Sequence, residues 1–95
     1  MSAKTCKITG RQRSKTSVLM RIARDLDFPG HFRPNLDALM DVLTTDIDGP
    51  IEIRWSPTKG SQEALGADYQ AILTTLKSAA QEREDLKLVV AELRS

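Results

Sequence analysis

Three short strand-like segments, separated by long stretches of helical periodicity, constrain the fold of this chain more than any other feature. They cover residues 5–9, 51–55 and 86–93. Residues 51–55 alternate apolar and charged side chains, which is typical of a strand with one face inward. Long helical connections favour parallel pairing with right-handed crossovers. For 95 residues, this predicts one small α/β domain, spanning 1–95, whose three-stranded parallel sheet is packed with three to four helices.

Helical periodicity fills the segments between the strands, where apolar positions recur three and four residues apart. Three helices are expected: one from a cap at Ser14 or Thr16 to about residue 26, one from the cap Asn35 to about residue 45, and one from about residue 68 to 83. A loop is expected at 56–61, followed by one helical turn at 62–65. The third strand carries Leu88, Val89 and Val90, which are apolar on both faces. It is therefore expected to be central or covered.

Cysteine usage excludes two kinds of site. Cys6 is the single cysteine, so the chain can form neither an internal disulfide nor a cysteine-based zinc site. A lone thiol agrees with a reducing compartment. No apolar run suits a signal peptide or a membrane span, so the expected location is the cytoplasm.

Charge is segregated along the chain, although the formal net charge is only +1. Residues 1–33 carry eight basic and two acidic side chains, which gives +6. Residues 34–52 carry five acidic side chains and no basic one, and residues 53–95 sum to zero. Such asymmetry indicates a charged partner without saying which part of the chain binds it.

Asp37 and Asp41 are the sharpest feature of the acidic stretch, because residues four apart share one helix face. Spacing alone favours a solvated face. A carboxylate pair could also act in acid–base catalysis, with His31 as the single histidine, but an exposed pair lacks the pocket that separates two pKa values. Exposed carboxylates with one histidine also make a poor transition-metal site. We therefore expect that the chain is not an enzyme and that it has no catalytic residue, no metal and no cofactor.

The basic residues within 4–33 could instead bind RNA or DNA phosphates. The chain has only four aromatic side chains, however, and no glycine-rich or aromatic–basic recognition motif accompanies the charges. Arg21 and Arg24 are interpreted as the solvated face of the first helix. Nucleic acid is therefore the less favoured partner.

Two stretches are similar to a known family. Residues 35–44 read NLDALMDVLT, residues 50–55 read PIEIRW, and Phe28 and Pro29 precede them. By these motifs the sequence resembles the barstar family, the intracellular inhibitors of secreted ribonucleases. Outside the motifs the similarity is architectural but spans nearly the whole chain. The resemblance implies a three-stranded parallel sheet with helices, and a ribonuclease partner whose active site is blocked by an acidic helix that mimics RNA phosphates.

The resemblance also implies the residues that bind the partner. Asp37 and Asp41 match the two aspartates that family inhibitors place in the cationic phosphate pocket of the enzyme, and Glu82 matches a peripheral acidic contact. The implied partner-binding set is His31, Asn35, Asp37, Met40, Asp41, Thr45, Asp46 and Glu82.

Several of these positions depart from the best-known inhibitor of the family. His31 stands in place of a tyrosine, Met40 and Asp46 in place of tryptophans, and Thr45 in place of a glycine. The basic first third also contrasts with the marked acidity of that inhibitor. Because peripheral contacts mostly set partner choice and association rate, we expect a different cognate ribonuclease.

Several alternatives stay open at this stage. The fold could serve as an interaction module for a partner that is not a nuclease. The free chain is expected to be a monomer, because no apolar stripe is left over once the predicted elements are packed. The sequence does not decide whether Phe32 and Ile47 join the core or the binding face, nor whether Cys6 is buried.

Overall fold

The computed structural model describes residues 4–10 and 12–91, and it confirms the predicted fold class. The elements in chain order are β1 (Lys4–Ile8), α1 (Lys15–Asp25), α2 (Leu36–Asp41) with a π-helical extension (Val42–Asp46), β2 (Ile51–Trp55), α3 (Lys59–Leu65), α4 (Ala67–Glu82) and β3 (Leu86–Val90). The predicted third strand also included Leu93, which lies outside the described residues.

The three strands form a parallel sheet in the order β1-β2-β3. Cys6, Ile53 and Leu88 share one row across the sheet. The third strand was predicted to be central or covered. Leu88 and Val90 do pack against the core, but the strand is not central, because β2 occupies the middle of the sheet and β3 lies at an edge. Its residues Leu88, Val89 and Val90 are only half-buried. In a sequential strand order each crossover reaches the neighbouring strand, so the last strand stays outermost.

The helices cover one face of the sheet, and the core lies between them. Side chains of β1 and β2 on the covered face are buried, among them Cys6, Ile53 and Trp55. Two crossovers of the same hand in a sequential order place their helices on the same side, which leaves the other face open. We call this second face the open sheet face, and it carries Thr5, Lys7, Glu52, Arg54, Lys87 and Val89.

Side-chain caps define where the helices begin. Ser14 caps α1 by accepting a hydrogen bond from the Ser17 backbone N–H at 3.1 Å. Thr58 caps α3 by accepting from the Ser61 backbone N–H at 3.0 Å. The prediction of a loop at 56–61 was therefore wrong from Lys59 onward, since a threonine cap satisfies an N–H group of the first turn.

Two side chains that the sequence left open lie in the core. Ile47 is buried, and so is Cys6. Burial raises the pKa of the Cys6 thiol to about 12, and the nearby Asp25 carboxylate adds to the effect. The thiol is therefore protonated at neutral pH. Among the described residues, no helix is long and apolar enough to cross a membrane.

Candidate functional site

Helix α2 presents the predicted aspartates on its exposed side. The Asn35 side chain caps the helix by accepting a hydrogen bond from the Ala38 backbone N–H at 2.7 Å, as the sequence predicted. Leu39 is fully buried and fixes which side of α2 faces the core. Asp37 and Asp41 are both exposed. One buried leucine and one side-chain cap thus orient this short helix.

The π-helical extension Val42–Asp46 continues α2 and differs from the predicted fading α-helix. The Thr45 Oγ1 atom lies 2.6 Å from the Asp41 carbonyl oxygen and 3.1 Å from the Asp46 carboxylate. The Thr44 hydroxyl donates to the Met40 carbonyl at 2.7 Å. These hydroxyls bind carbonyl groups near the end of a helix, where intrahelical donors run out.

The wider π turn changes where Asp46 lies relative to Asp41. In an α-helix, residues five apart point about 140° away from each other. In a π-helix the hydrogen bonds join residues five apart, so the same two positions stack more nearly in line. Both carboxylates accordingly line one concave surface, which the α-helical spacing used in the sequence analysis did not predict.

That surface is a shallow cleft of about 210 Å³ between the α1–α2 loop and α2, here called the first cleft. Its lining residues are His31, Phe32, Arg33, Asn35, Ala38, Asp41, Val42 and Asp46. The structure thus brings His31, Asn35, Asp41 and Asp46 together, as members of the predicted set. Phe32, which the sequence left open, packs edge-on against Phe28 at a centroid distance of 4.9 Å and also lines the cleft.

A second cleft, of about 220 Å³, lies on the other side of α2 against α4. Its lining residues are Leu36, Asp37, Met40, Thr74, Thr75 and Ser78. Asp37 and Met40 of the predicted set therefore face α4, whereas Asp41 faces the α1–α2 loop. The two aspartates sit on a ridge between two concave surfaces.

Three exposed carboxylates on α2 and its extension, those of Asp37, Asp41 and Asp46, form no ion pair with any residue in 4–10 or 12–91. We call these three residues the acidic surface. Arg33 lines the first cleft without forming an ion pair to any described residue. Like charges this close repel one another, so the acidic surface favours a cationic partner.

Arg83 holds the end of the acidic segment in place and was missed by the sequence analysis. Its Nη1 atom donates to the carbonyl oxygens of Leu43 and Ile47, at 2.9 and 2.7 Å. Its Nε and Nη2 atoms donate to the two Asp85 carboxylate oxygens at 2.9 and 2.8 Å. The hydrogen bonds between the Arg83 and Asp85 side chains raise the pKa of Arg83 and lower the pKa of Asp85.

No local pattern identifies this role of Arg83, because its carbonyl partners lie in the segment before β2. Gly49 adds to the same contact: a Cβ atom there would overlap the Asp85 carboxylate. The Gly49-Pro50 peptide bond is cis. A side chain at position 49 would therefore displace the Arg83–Asp85 pair from its present position.

Two predicted residues lie outside the clefts. Thr45 supports Asp41 and Asp46 through its hydroxyl rather than lining either cleft. Glu82 is the last residue of α4, is exposed, and lines neither cleft. Within the described part of the chain, no group of three His, Cys, Asp or Glu side chains could hold a metal ion. The arrangement is chemically suited to receiving cationic groups.

Comparison with known proteins agrees with this architecture. The family model for Barstar (barnase inhibitor) matches residues 3–91. A Bacillus subtilis (strain 168) protein named "Putative ribonuclease inhibitor YrdF" is 32% identical over 85 residues, which cover 87% of this chain and 93% of that protein. Since the match extends over nearly all of β1 to β3, the chain belongs to the barstar (barnase inhibitor) family.

Proposed function

We propose that this chain inhibits a secreted or toxin ribonuclease by placing its acidic surface in the substrate cleft of the enzyme. The observation that carries the proposal is the set of three exposed carboxylates on α2 and its extension that form no ion pair with a described residue, in a member of the barstar family. The Bacillus subtilis relative, whose name is "Putative ribonuclease inhibitor YrdF", supports the same role. The chain would itself catalyse no reaction, and would act in the cytoplasm.

The physical basis is mimicry of phosphate. A ribonuclease must offer cationic side chains to the phosphates of RNA, and fixed carboxylates can occupy the same positions through charge-assisted hydrogen bonds. A negative surface that meets a positive cleft also raises the association rate. Asn35, Arg83 and Thr45 hold the carboxylates on ordered backbone, which lowers the entropy lost on binding.

The predicted site residues take different roles in this proposal. Asp41 is the central anchor in the first cleft, with Asp46 beside it, and Asp37 reaches the enzyme from the α4 side of the ridge. His31 and Met40 border the two clefts and contact the enzyme around these carboxylates. Asn35 positions α2, Thr45 contacts the Asp46 carboxylate and the Asp41 backbone carbonyl, and Glu82 is a peripheral contact.

The test is titration of the chain into activity assays of barnase and of secreted ribonucleases whose genes lie beside the gene for this chain. We expect stoichiometric inhibition of one such enzyme. Breaking a buried ion pair costs about 3–5 kcal/mol, so Asp41→Ala should weaken inhibition about a hundredfold or more. Glu63→Ala, which removes an exposed carboxylate from α3, is the matched control and should inhibit like the parent.

The folds of the variants are checked by thermal unfolding, which Asp41→Ala should leave nearly unchanged because the side chain is exposed. Asp37→Ala should weaken inhibition as well. If both aspartate variants inhibit the enzyme as well as the parent, the assignment of the acidic surface is wrong. If the parent inhibits none of the ribonucleases, the inhibitor role is rejected in favour of an interaction module with another partner.

A further inference from the structure

We propose a second contact surface for the same partner on α1, made by Met20, Arg21 and Arg24 and called here the α1 ridge. It would receive an acidic patch that borders the basic cleft of the ribonuclease. The inference rests on the proposed function and extends it, because it assigns a specificity determinant outside the acidic surface. Its components are an exposed apolar side chain, a local excess of positive charge and continuity with the first cleft.

Met20 is the apolar centre of the α1 ridge. It is 47% exposed and is the one exposed large hydrophobic side chain of the described residues. Its neighbours Leu19 and Ile22 on α1 are fully buried, so Met20 lies on the solvent side of an otherwise amphipathic helix. Methionine is flexible and polarizable, which suits a contact surface that adapts to its partner.

Concave surfaces flank the ridge on two sides. One, of about 520 Å³, is lined by Gln12, Ser17, Met20, Arg21 and Arg24. The other, of about 330 Å³, is lined by Met20, Ala23, Arg24, Asp27, Phe28, Pro29, Gly30 and Phe32. Met20 and Arg24 belong to both linings. They therefore project between two hollows that a partner surface can fill.

Positive charge on the ridge exceeds the negative charge that contacts it. Arg21 and Arg24 both pair with Asp25, at 3.2 and 3.4 Å. Two guanidinium groups thus share one carboxylate, and the exposed Asp27 lines the hollow beside Arg24. With the exposed Arg13, which precedes the same helix, three arginines stand against these two aspartates and leave a net charge of +1. The Arg24 side chain is 72% exposed and is therefore accessible to a partner.

The α1–α2 loop connects the ridge to the acidic surface. Phe32 lines both the hollow beside Met20 and the first cleft that contains Asp41. Phe28 lies between Phe32 and α1, and its ring packs edge-on against that of Phe32. A partner that covers the first cleft consequently needs only to extend across this loop to reach Arg24.

An acidic protein patch fits these observations better than RNA does. Single-stranded RNA is recognised largely by stacking on exposed aromatic side chains. In the described residues, Phe28, Trp55 and Tyr69 are buried and Phe32 is half-buried. The adjacent acidic surface would also repel a phosphate backbone. By contrast, one protein partner can present a basic cleft to Asp41 and acidic side chains to Arg24.

The experiment measures association rates with the ribonuclease that the parent inhibits. Variants Arg24→Gln and Arg24→Glu reduce and reverse one ridge charge, and Lys77→Glu is the control. Lys77 is an exposed cation on α4 that lines the groove beside Leu88 and Val90, and its reversal changes the net charge equally. At low ionic strength we expect Arg24→Glu to slow association about tenfold and Arg24→Gln to slow it less.

The same samples separate the ridge from the acidic surface. Added salt should reduce the difference between Arg24→Glu and the parent, because ions screen rim charges. Stoichiometric inhibition should persist in the Arg24 variants, whereas Asp41→Ala loses it. Met20→Ala should speed dissociation severalfold while leaving the association rate nearly unchanged, since the lost contact is apolar.

Three results would overturn the inference while the inhibitor role stands. One is an association rate for Arg24→Glu equal to that of the parent. Another is a slowing of association in Lys77→Glu as large as that in Arg24→Glu. The third is binding of a fluorescein-labelled oligouridylate by the parent that Arg24→Glu abolishes, because the ridge would then be an RNA site. If the parent inhibits no ribonuclease, the inhibitor role and the ridge inference fail together.

Discussion

The open sheet face and the acidic surface both carry exposed charges, but they arrange them in opposite ways. On the open sheet face, Glu52 accepts a hydrogen bond from Arg54 at 2.7 Å and lies 3.9 Å from Lys87. Lys7 also acts on Glu52, so the single carboxylate of this face is compensated by three cations of the chain. On the acidic surface, Asp37, Asp41 and Asp46 carry one sign, and no described cation pairs with them.

The difference separates charge that serves the fold from charge that is kept for a partner. The hydrogen bond from Arg54 lowers the pKa of Glu52, so the folded protein itself favours the ionised carboxylate. The acidic surface gains no comparable compensation from described cations. Arg83 donates its hydrogen bonds to the carbonyl oxygens of Leu43 and Ile47 and to the Asp85 carboxylate, rather than to the carboxylates of the acidic surface.

The largest effect on stability is expected for Arg83→Met, which removes the side chain that anchors the segment before β2. The change keeps an apolar stem of similar length but removes the donors to the Leu43 and Ile47 carbonyls. Each unsatisfied group in a largely buried site costs about 1–3 kcal/mol, and the Arg83 side chain is 14% exposed. The free energy of unfolding should fall by about 2–4 kcal/mol in urea titrations.

Inhibition should weaken in the same variant, because the segment Val42–Asp46 loses its anchor. Lys77→Met, which removes an exposed cation from α4, serves as the control and should change stability by less than about 0.5 kcal/mol. Equal stability of Arg83→Met and Lys77→Met would show that Arg83 does not hold the segment.

A smaller effect, on how stability depends on pH, is expected for Glu52 of the open sheet face. Because the pKa of Glu52 is lowered by folding, its pairing stabilises the protein above the ordinary pKa of a glutamate. This contribution is lost as the pH falls through the lowered value. Glu52→Gln should therefore reduce the loss of stability between about pH 5 and pH 3. Urea unfolding at several pH values measures this, and an unchanged acid dependence would contradict the pairing.

The smallest effect is expected on the acidic surface itself. Like charges four residues apart on a helix destabilise it by about 0.2–0.5 kcal/mol. Asp41→Asn should therefore raise the free energy of unfolding by about that amount at low salt, even though it removes a group proposed to bind the partner. The gain should vanish in high salt. A loss of stability at low salt would mean that Asp41 is compensated within the folded chain.

The sequence predicted most of the fold because its signals are local. Alternation predicted β2, and cap residues predicted two helix starts: Asn35 is confirmed, and of the alternatives Ser14 and Thr16 the structure has Ser14. The start of α3 was missed because Thr58 lies in a polar stretch where the helix buries little. The edge position of β3 was missed because strand order depends on how the crossovers pack, which no single segment encodes.

The candidate site was predicted only in part, and for a related reason. Helical spacing placed Asp37 and Asp41 on one helix face but favoured a solvated face, and the family resemblance alone implied their binding role, which stays a prediction. Neither could place them on opposite sides of a ridge, since that depends on α4 and on the α1–α2 loop. The anchoring role of Arg83 is equally non-local.

Trp55 gives the molecule a useful optical property. It is the single tryptophan of the chain, is 1% exposed, and packs against Tyr69 at a centroid distance of 5.3 Å. It lines neither cleft of the acidic surface. Its emission should therefore report solvent entry on unfolding and stay nearly constant when a partner docks. Trp55 can then report the unfolding of this chain without an added dye and without a contribution from docking itself.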